Sequence, residues 1–242
     1  MNKTVLITGV GKRIGYALAK HFLAQGDHVI GTYRRHYDSI EQLKKLGATL
    51  IQCDLTINHE IDQLIAQVKS HSALHCIIHN ASDWLAESAD KDSSDIINRM
   101  MQIHVNAPYI INMALADLLC QSAQQAADDA IGATNIIHIT DYVAEKGSKK
   151  HIAYAASKAG LHNLTLSFAA KLAPNVKVNS IAPAMILFNQ GDDDAYKAKA
   201  LSKAILPKEA GNSEMISLIE YLINSRYVTG RSFAVDGGRH LA

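Results

Sequence analysis

The sequence predicts a single-domain α/β protein, a Rossmann-type doubly wound parallel sheet of seven strands with helices on both faces. Short β-branched apolar runs alternate with longer segments of helical spacing, which is typical of a parallel sheet with crossover helices. The 242 residues, 48% of them hydrophobic, suffice for one large core. Right-handed crossovers then give the doubly wound arrangement. We therefore expect residues 1–242 to form one domain.

Seven apolar runs are predicted as strands, and most are near-continuous, as expected for strands buried on both faces. In chain order they are Val5–Thr8, His28–Thr32, Thr49–Gln52, Cys76–His79, Asn135–Ile139, Val176–Ile181 and Ser232–Val235. Apolar stripes at helical spacing predict helices over Ile14–Gln25, Ile57–Ser70 and Tyr154–Leu172. The segment Met185–Lys203 breaks this rhythm after the sixth strand, where ligand sites of α/β sheets form. We predict a substrate-loop insertion at 185–210, with an irregular surface insertion as the alternative.

Composition and charge argue against several classes of protein. A formal net charge of +1 disfavours nucleic acid as a partner. No stretch approaches the roughly 18 uninterrupted apolar residues of a membrane span, and the apolar N-terminal run is too short for a signal peptide. We therefore expect a cytoplasmic protein without a membrane partner. The three cysteines and twelve histidines are scattered, without metal-ligand spacing, so no metal is expected.

A glycine-rich turn, Thr8–Gly15, joins the first strand to the first helix. Its glycines match neither GxGxxG nor GxxxxGK[ST]. Free N–H groups and the positive end of a helix dipole at such a turn still favour a phosphate. A plain tight turn with a surface arginine, Arg13, is the alternative.

The second strand ends in Tyr33-Arg34-Arg35. A site for NAD would place a carboxylate here to accept hydrogen bonds from the adenosine ribose. Two guanidinium groups instead suit the 2′-phosphate of NADPH. The sequence therefore predicts NADPH as the cofactor, and a solvated pair of charges is the alternative.

Tyr154 and Lys158 lie four residues apart at the start of the helix that precedes the sixth strand. This spacing puts both on one face of the helix. A lysine ammonium stabilises a phenolate, so we expect Lys158 to lower the pKa of Tyr154. Such a tyrosine can give a proton to a substrate that receives a hydride.

These motifs, taken in order, resemble those of the short-chain dehydrogenase/reductases. Besides the glycine turn and the Tyr154–Lys158 pair, the motifs that resemble the family are Asp54-Leu55, His79–Ser82, Asn106, Ile181–Pro183 and Asp236–Gly238. The resemblance implies a homotetramer, a proton relay in which Asn106 holds a water, and a ribose contact from Lys158. It also implies a cofactor site of Gly9, Arg13, Ile14, Gly15, Tyr33, Arg34, Arg35, Asp54, Leu55, Asn80, Ala81, Ser82, Tyr154, Lys158 and Pro183.

Asp141 stands where that family usually has a catalytic serine. A carboxyl group can accept from an N–H and deliver a proton to a nitrogen. Together with Arg13 in the glycine turn, it resembles the pteridine reductases, in which an aromatic placed like Trp84 stacks on the pterin. The resemblance implies a pterin site of Arg13, Ser82, Trp84, Asp141 and Tyr154, with Arg13 also reaching the cofactor phosphates.

The reaction that this resemblance implies is reduction of a dihydropterin by NADPH, with hydride added at C6 and a proton at N5. Dihydrofolate shares the ring and is expected to react more weakly. A reductase of 3-oxoacyl or sugar carbonyls on the same fold is the nearest alternative, and a nucleotide sensor without activity is a more distant one.

Overall fold

One parallel sheet organises the chain in this computed structural model, which describes residues 2–87, 92–126, 130–189 and 191–242. The strands are β1 Thr4–Ile7, β2 His28–Tyr33, β3 Thr49–Gln52, β4 Cys76–His79, β5 Thr134–Ile139, β6 Val176–Pro183 and β7 Ser232–Val235. Their order across the sheet is β3-β2-β1-β4-β5-β6-β7. The chain therefore reverses its winding between β1 and β4, the topological switch point where α/β folds bind ligands.

The predicted sheet is confirmed, and the strand bounds differ from the predicted ones by two residues at most. The longest strand, β6, is fully buried and continues to Pro183, since its last residues still pair with β7. Alternate residues of β1 serve two cores, because successive side chains of a strand point to opposite faces. Leu6 packs in one core, while Val5 and Ile7 pack in the other.

Helices cover both faces of the sheet. They are α1 Arg13–Ala24, α2 Asp38–Lys45, α3 Asn58–Lys69, α4 Ser93–Met101, α5 Ala107–Gln124, α6 Val143–Lys146, α7 Ile152–Leu172, α8 Asp194–Leu201 and α9 Asn212–Asn224. One face buries Leu64 of α3, Leu115 of α5 and Phe168 of α7, and the other buries Leu18 of α1 and Ile219 of α9. Both faces are thus covered, as the near-continuous apolar strands predict.

A π-helical turn, Gln102–Asn106, joins α4 to α5 without a break in the helical backbone. The whole segment Ser93–Gln124 is long and apolar enough to cross a membrane, but half of its most apolar stretch is buried inside the protein. Ile111 and Leu115 lie in the core beneath the sheet. Packing in the core therefore accounts for the buried half of this apolar stretch.

The segment Met185–Lys203 is not wholly irregular, which corrects the alternative that the sequence left open. It contains α8, whose first turn is capped by the Asp193 carboxylate accepting from the Tyr196 N–H at 2.7 Å. Position 190 of this segment lies outside the described residues. The loop before α8 borders the cavity described next, through Met185, Leu187 and Asn189.

Candidate active site

A cavity of about 670 Å³ opens at the carboxyl ends of the strands, beside the switch point. Its size lies within the range of small-molecule sites. Every predicted site residue except Asn106 lines it. They are Gly9, Arg13, Ile14, Gly15, Tyr33, Arg34, Arg35, Asp54, Leu55, Asn80, Ala81, Ser82, Trp84, Asp141, Tyr154, Lys158 and Pro183.

The turn between β1 and α1 needs glycine at two positions. Gly9 has φ +76°, and a Cβ there would lie 2.9 Å from the Ala81 Cα. A Cβ on Gly15 would lie 2.1 Å from the Gly9 carbonyl oxygen. Asn80 donates from Nδ2 to the carbonyl oxygens of Thr8 and Gly9 at 3.0 and 3.1 Å. The end of β4 thus fixes the turn, and it leaves the start of α1 open to an anion.

Arg13 begins α1 with a φ of +53°. Among the residues that the structure describes, it is the only non-glycine residue with a positive φ. A left-handed backbone costs a residue with a Cβ roughly 1–2 kcal/mol. Its guanidinium donates to Asn189 Oδ1 at 2.7 Å and to the Leu187 carbonyl at 2.8 Å. The first residue of α1, with its left-handed backbone, therefore connects this helix to the loop after β6 by hydrogen bonds. Contacts to phosphate or pterin require the guanidinium to share or leave these partners.

The two arginines after β2 have different surroundings. Arg34 pairs with Asp83 at 3.2 Å, and Arg99 pairs with the same carboxylate at 2.6 Å. Burial acts to raise the pKa of Asp83, but the hydrogen bonds and charges of Arg99 and Arg34 outweigh it and lower that pKa. Arg35 is exposed and has no hydrogen bond or ion pair within the described ranges. Arg35 is therefore the cation more available to a ligand.

Asp54, one of the residues of the predicted cofactor site, also holds the turn before α3. Its Oδ1 accepts from the Thr56 N–H at 3.0 Å and from the Thr56 hydroxyl at 2.8 Å. Its own N–H donates to Glu60. The residue therefore lines the cavity from a fixed position at the end of β3.

Three ionisable groups meet at the end of β5. Tyr154 Oη lies 2.8 Å from Asp141 Oδ2, and the Val143 N–H donates to Asp141 Oδ1 at 3.0 Å. Lys158 is fully enclosed, and its Nζ donates to the Ile139 carbonyl at 2.8 Å. Residues 154 and 158 project together from the first turns of α7, as their spacing predicts.

The predicted lowering of the Tyr154 pKa by Lys158 is wrong for this structure. Burial and the charge of Asp141 raise the pKa of Tyr154, and burial also raises the pKa of Asp141. Burial lowers the pKa of Lys158 to about 8. Lys158 Nζ is 5.7 Å from the centre of the tyrosine ring and faces a carbonyl, whereas the carboxylate contacts the phenol directly. Asp141, not Tyr154, is thus the acid with a pKa displaced towards neutrality.

Trp84 stacks on a protein side chain. Its ring lies 4.1 Å from that of His151, at an interplanar angle of 25°. His151 is held through Nδ1, which donates to the Leu85 carbonyl at 3.0 Å. Trp84 is nevertheless 64% exposed and lines the cavity. A planar ligand can therefore stack only on the indole face opposite His151.

Asn106 is not brought into the site. Its exposed side chain donates to Gln102 Oε1 at 3.0 Å, so the structure gives no support to a relay through this side chain. His104, which the sequence reasoning missed, is buried, and its ring meets the Tyr154 ring edge-on at 5.5 Å. The π-helical turn changes which residues face inward. The available signal was spacing, since His104 follows the buried Met100 by four residues.

Comparisons with known proteins agree with the fold. A family model described as enoyl-(acyl carrier protein) reductase matches residues 9–240. A dihydromonapterin reductase of Klebsiella pneumoniae is 55% identical over 240 residues, which cover 99% of this chain and 97% of that protein. A dihydromonapterin reductase of Escherichia coli is 52% identical over 238 residues, covering 98% of this chain and 96% of the relative.

Among solved structures, the chain is similar to FolM alternative dihydrofolate reductase 1 from Brucella canis, which is complexed with NADP. That similarity has a TM-score of 0.86 and 25% identity, and it covers 100% of this chain and 95% of the other.

Proposed function

The chain belongs to the short-chain dehydrogenase/reductase family, and from that premise we propose that it reduces a 7,8-dihydropterin to the 5,6,7,8-tetrahydropterin with NADPH. Dihydromonapterin is the proposed preferred substrate, because relatives that are 55% and 52% identical to this chain are named dihydromonapterin reductase. Dihydrofolate, which has the same ring, is a weaker substrate. The observation that carries the proposal is the carboxyl group of Asp141 beside Tyr154 in the cavity.

The cavity has the features that NADPH needs. The glycines at positions 9 and 15 let the turn pack closely against the end of β4, and the N-terminus of α1 borders the cavity. Arg35, exposed at the end of β2, suits a 2′-phosphate, and Arg34 lies beside it. A protein that binds NADP has the same fold with an identity of 25%. Lys158 and Asn80 complete the proposed cofactor site at the ends of α7 and β4.

When bound, NADPH supplies a hydride to C6 of the pterin C=N bond and becomes NADP⁺, so the protein must provide one proton at N5. Asp141 is the proposed donor. Because burial raises the pKa of Asp141, a larger fraction of its carboxyl groups is protonated near neutral pH than for an ordinary aspartate. A serine hydroxyl at this position would serve a carbonyl oxygen equally well, but it is a much weaker acid towards nitrogen.

Tyr154 positions this carboxyl group and stabilises the carboxylate that remains after proton transfer, which then takes up a proton from solvent. The phenol donates to Asp141 once the carboxylate has formed, at an oxygen–oxygen distance of 2.8 Å. Lys158 anchors the end of β5 through the Ile139 carbonyl and offers its remaining donors to the cofactor ribose. Its pKa of about 8 keeps the ammonium largely charged at neutral pH.

The pterin ring is proposed to stack on the open face of Trp84, with His151 supporting the other face. Ser82 and Arg13 are the proposed polar contacts of the ring. Arg13 then exchanges at least one of its present loop partners, Asn189 or the Leu187 carbonyl, for substrate or phosphate. This exchange would couple substrate binding to the loop that the sequence singled out.

A cytoplasmic homotetramer is also proposed. Large apolar side chains are exposed at 42–52% on helices of two separate surfaces, which suggests two kinds of subunit contact. Tyr109, Met113 and Leu166 lie on α5 and α7, and Tyr221 lies on α9. Light scattering after size-exclusion chromatography tests this, with a monomer as the contradicting result.

Turnover of defined substrates tests the proposed function. Purified chain with NADPH should lose the absorbance of the reduced nicotinamide when 7,8-dihydromonapterin or dihydrobiopterin is added. The Asp141→Ser variant should lose pterin reduction by at least about tenfold, since it lacks the acid. Oxidation of NADPH with acetoacetyl or enoyl thioesters, but with no dihydropterin, would establish the acyl or carbonyl alternative.

A further inference from the structure

The loop after β4, residues 82–87, runs beside the start of α7, and we call it the β4 loop. The Trp84 ring stacks at 4.1 Å on the ring of His151, the residue before α7. The Leu85 carbonyl accepts from His151 Nδ1 at 3.0 Å. Leu85 also packs in the small apolar cluster that contains Tyr154. The β4 loop, which carries the proposed pterin platform, thus lies against the helix that carries Tyr154.

A carboxylate at the end of the β4 loop holds the first turn of α7. Glu87 Oε2 accepts from the Ile152 N–H at 2.9 Å, and Glu87 Oε1 accepts from the Ala153 N–H at 2.8 Å. Glu87 also donates its own N–H to the Lys150 carbonyl at 3.3 Å. Burial acts to raise the pKa of Glu87, but the hydrogen bonds from Ala153 and Ile152 outweigh it and lower that pKa. The group is therefore an ionised acceptor with two backbone donors at neutral pH.

The cap of α7 comes from a distant segment of the chain. The N–H groups of a first helical turn lack partners inside the helix, and the side chain just before the helix commonly supplies an acceptor. Asp92 and Asp193 do so for α4 and α8. His151 makes no such bond, and the acceptor is Glu87, which lies 65 and 66 positions from its two donors. The two hydrogen bonds that cap α7 therefore also tie down the end of the β4 loop.

The start of the β4 loop has a separate anchor. Asp83 Oδ2 accepts from Arg99 Nε at 2.8 Å and from a terminal guanidinium nitrogen of Arg99 at 2.6 Å, which holds the loop to α4. Asp83 Oδ1 accepts from the Trp84 N–H at 3.1 Å. Asp83 and Trp84 line the cavity, whereas Glu87 does not. Glu87 therefore acts on the site through the loop and α7, and not through contact with a ligand.

We propose that Glu87 is a positioning residue that, by joining the end of the β4 loop to the first turn of α7, fixes the spacing between Trp84 and the Tyr154–Asp141 pair. A pterin stacked on Trp84 is thereby held with N5 at the Asp141 carboxyl group. Small displacements of reacting groups cost large factors in rate, even when the altered residue is remote from the chemistry. The catalytic part of this role rests on the proposed pterin reduction, whereas the fixing of Trp84 by Glu87 does not.

Two variants of Glu87 and one control test this role. Glu87→Ala removes both acceptors, and Glu87→Gln keeps the shape of the side chain but only one acceptor oxygen. Asp27→Ala is the matched control, because the Asp27 carboxylate also accepts from a backbone N–H, that of Lys3, at 2.8 Å. Asp27 directly precedes β2, at the edge of the sheet opposite to the cavity. The control therefore loses the same kind of hydrogen bond without a contact to the β4 loop.

Trp84 is the only tryptophan of the sequence, so the fluorescence of the full chain reports on the β4 loop without any ligand. Detachment of the loop from α7 exposes the indole face that His151 now covers. We expect a red shift of the emission and faster quenching by acrylamide in Glu87→Ala, a smaller change in Glu87→Gln, and none in Asp27→Ala. If Glu87→Ala does not fold, the comparison of Glu87→Gln with the unsubstituted chain decides. Coincident emission and quenching in the folded Glu87 variants and the unsubstituted chain would overturn the proposal.

Kinetics with a dihydropterin separate positioning from stability. The value of kcat/KM should fall by about tenfold or more in Glu87→Ala, while the Kd of NADPH is unchanged. A purely structural role would lower the Tm of Glu87→Ala and Asp27→Ala alike and leave kcat/KM unchanged well below the Tm, and this result would overturn the proposal. If the unsubstituted chain turns over no dihydropterin, the proposed function fails, and the fluorescence comparison still decides whether Glu87 fixes Trp84.

Discussion

The glycine turn provides a sharp test, because two glycines of the same turn have different surroundings. A Cβ added at Gly15 would lie 2.1 Å from the Gly9 carbonyl oxygen and 2.5 Å from Asn80 Nδ2. A Cβ added at Gly11 would meet the ring of Tyr37 at 2.9 Å. The first contact involves a backbone carbonyl, whereas the second involves only side-chain atoms of a residue at the rim of the cavity.

Gly15→Ala must therefore displace α1 from the end of β1. Forced overpacking of this kind costs about 1–3 kcal/mol. At roughly 2–4 °C per kcal/mol, the Tm should fall by about 2–12 °C for a chain of this size. The displaced helix N-terminus and turn also lose their alignment with the phosphates, which we expect to weaken NADPH binding by about tenfold or more.

Gly11→Ala is the matched control, with the same added methyl group in the same turn. We expect its Kd for NADPH, measured by calorimetry, and its Tm to stay close to those of the unsubstituted chain. Binding of NADPH by Gly15→Ala as tightly as by Gly11→Ala would refute the assignment of this turn to the cofactor phosphates.

The remaining predictions concern cofactor preference, substrate stacking and stability in acid. Arg35→Gln should weaken NADPH more than NADH, since it removes a guanidinium proposed for the 2′-phosphate; equal losses for the two cofactors would be inconsistent with that role. His151→Ala should raise KM for the dihydropterin while the Kd of NADPH is unchanged, because Trp84 loses the ring stacked on it at 4.1 Å; an unaltered KM would remove His151 from the substrate site. The free energy of unfolding should fall as the pH falls from 6.5 to about 4, because burial lowers the pKa of His79 to about 4 and only the unfolded chain then takes up its proton. This loss amounts to about 3 kcal/mol. Urea unfolding at several pH values measures it for the unsubstituted chain and for His79→Asn. The same pH dependence in both would contradict the prediction.

The sheet could be predicted from the sequence because its signal is local. Each strand is a short apolar run, and both cores follow from the burial of both faces. The helix α8 was missed, because its sequence is polar and only Ala200 is buried. Its cap at Asp193 was the available signal.

The cavity-lining residues were largely predictable because parallel strands end at one edge of the sheet. What could not be predicted was the partner of each side chain. Arg13 contacts Asn189 across 176 positions of the chain, and Trp84 stacks on His151. Such contacts follow from the assembled fold, and no local pattern encodes them.

There is a more specific reason why His104, and not the expected Asn106, lies against Tyr154. Asn106 was expected in the site from the family resemblance alone, which does not say which side chains of this segment face inward. The π-helical turn Gln102–Asn106 places His104 against Tyr154 and leaves Asn106 exposed. The pKa of Tyr154 was misjudged for a related reason, since the lysine spacing was visible in sequence but the 2.8 Å contact with Asp141 was not.

In the proposed reaction, a hydride passes from NADPH to C6 of a dihydropterin in this cavity, and Asp141 protonates N5. Mass and NMR analysis of the product formed with NADPH deuterated at the transferred position tests it most directly. We expect a tetrahydropterin that carries one deuterium, at C6, and slower formation of this product by Asp141→Ser. A dihydropterin recovered without deuterium, or a deuterium at another carbon, would contradict it.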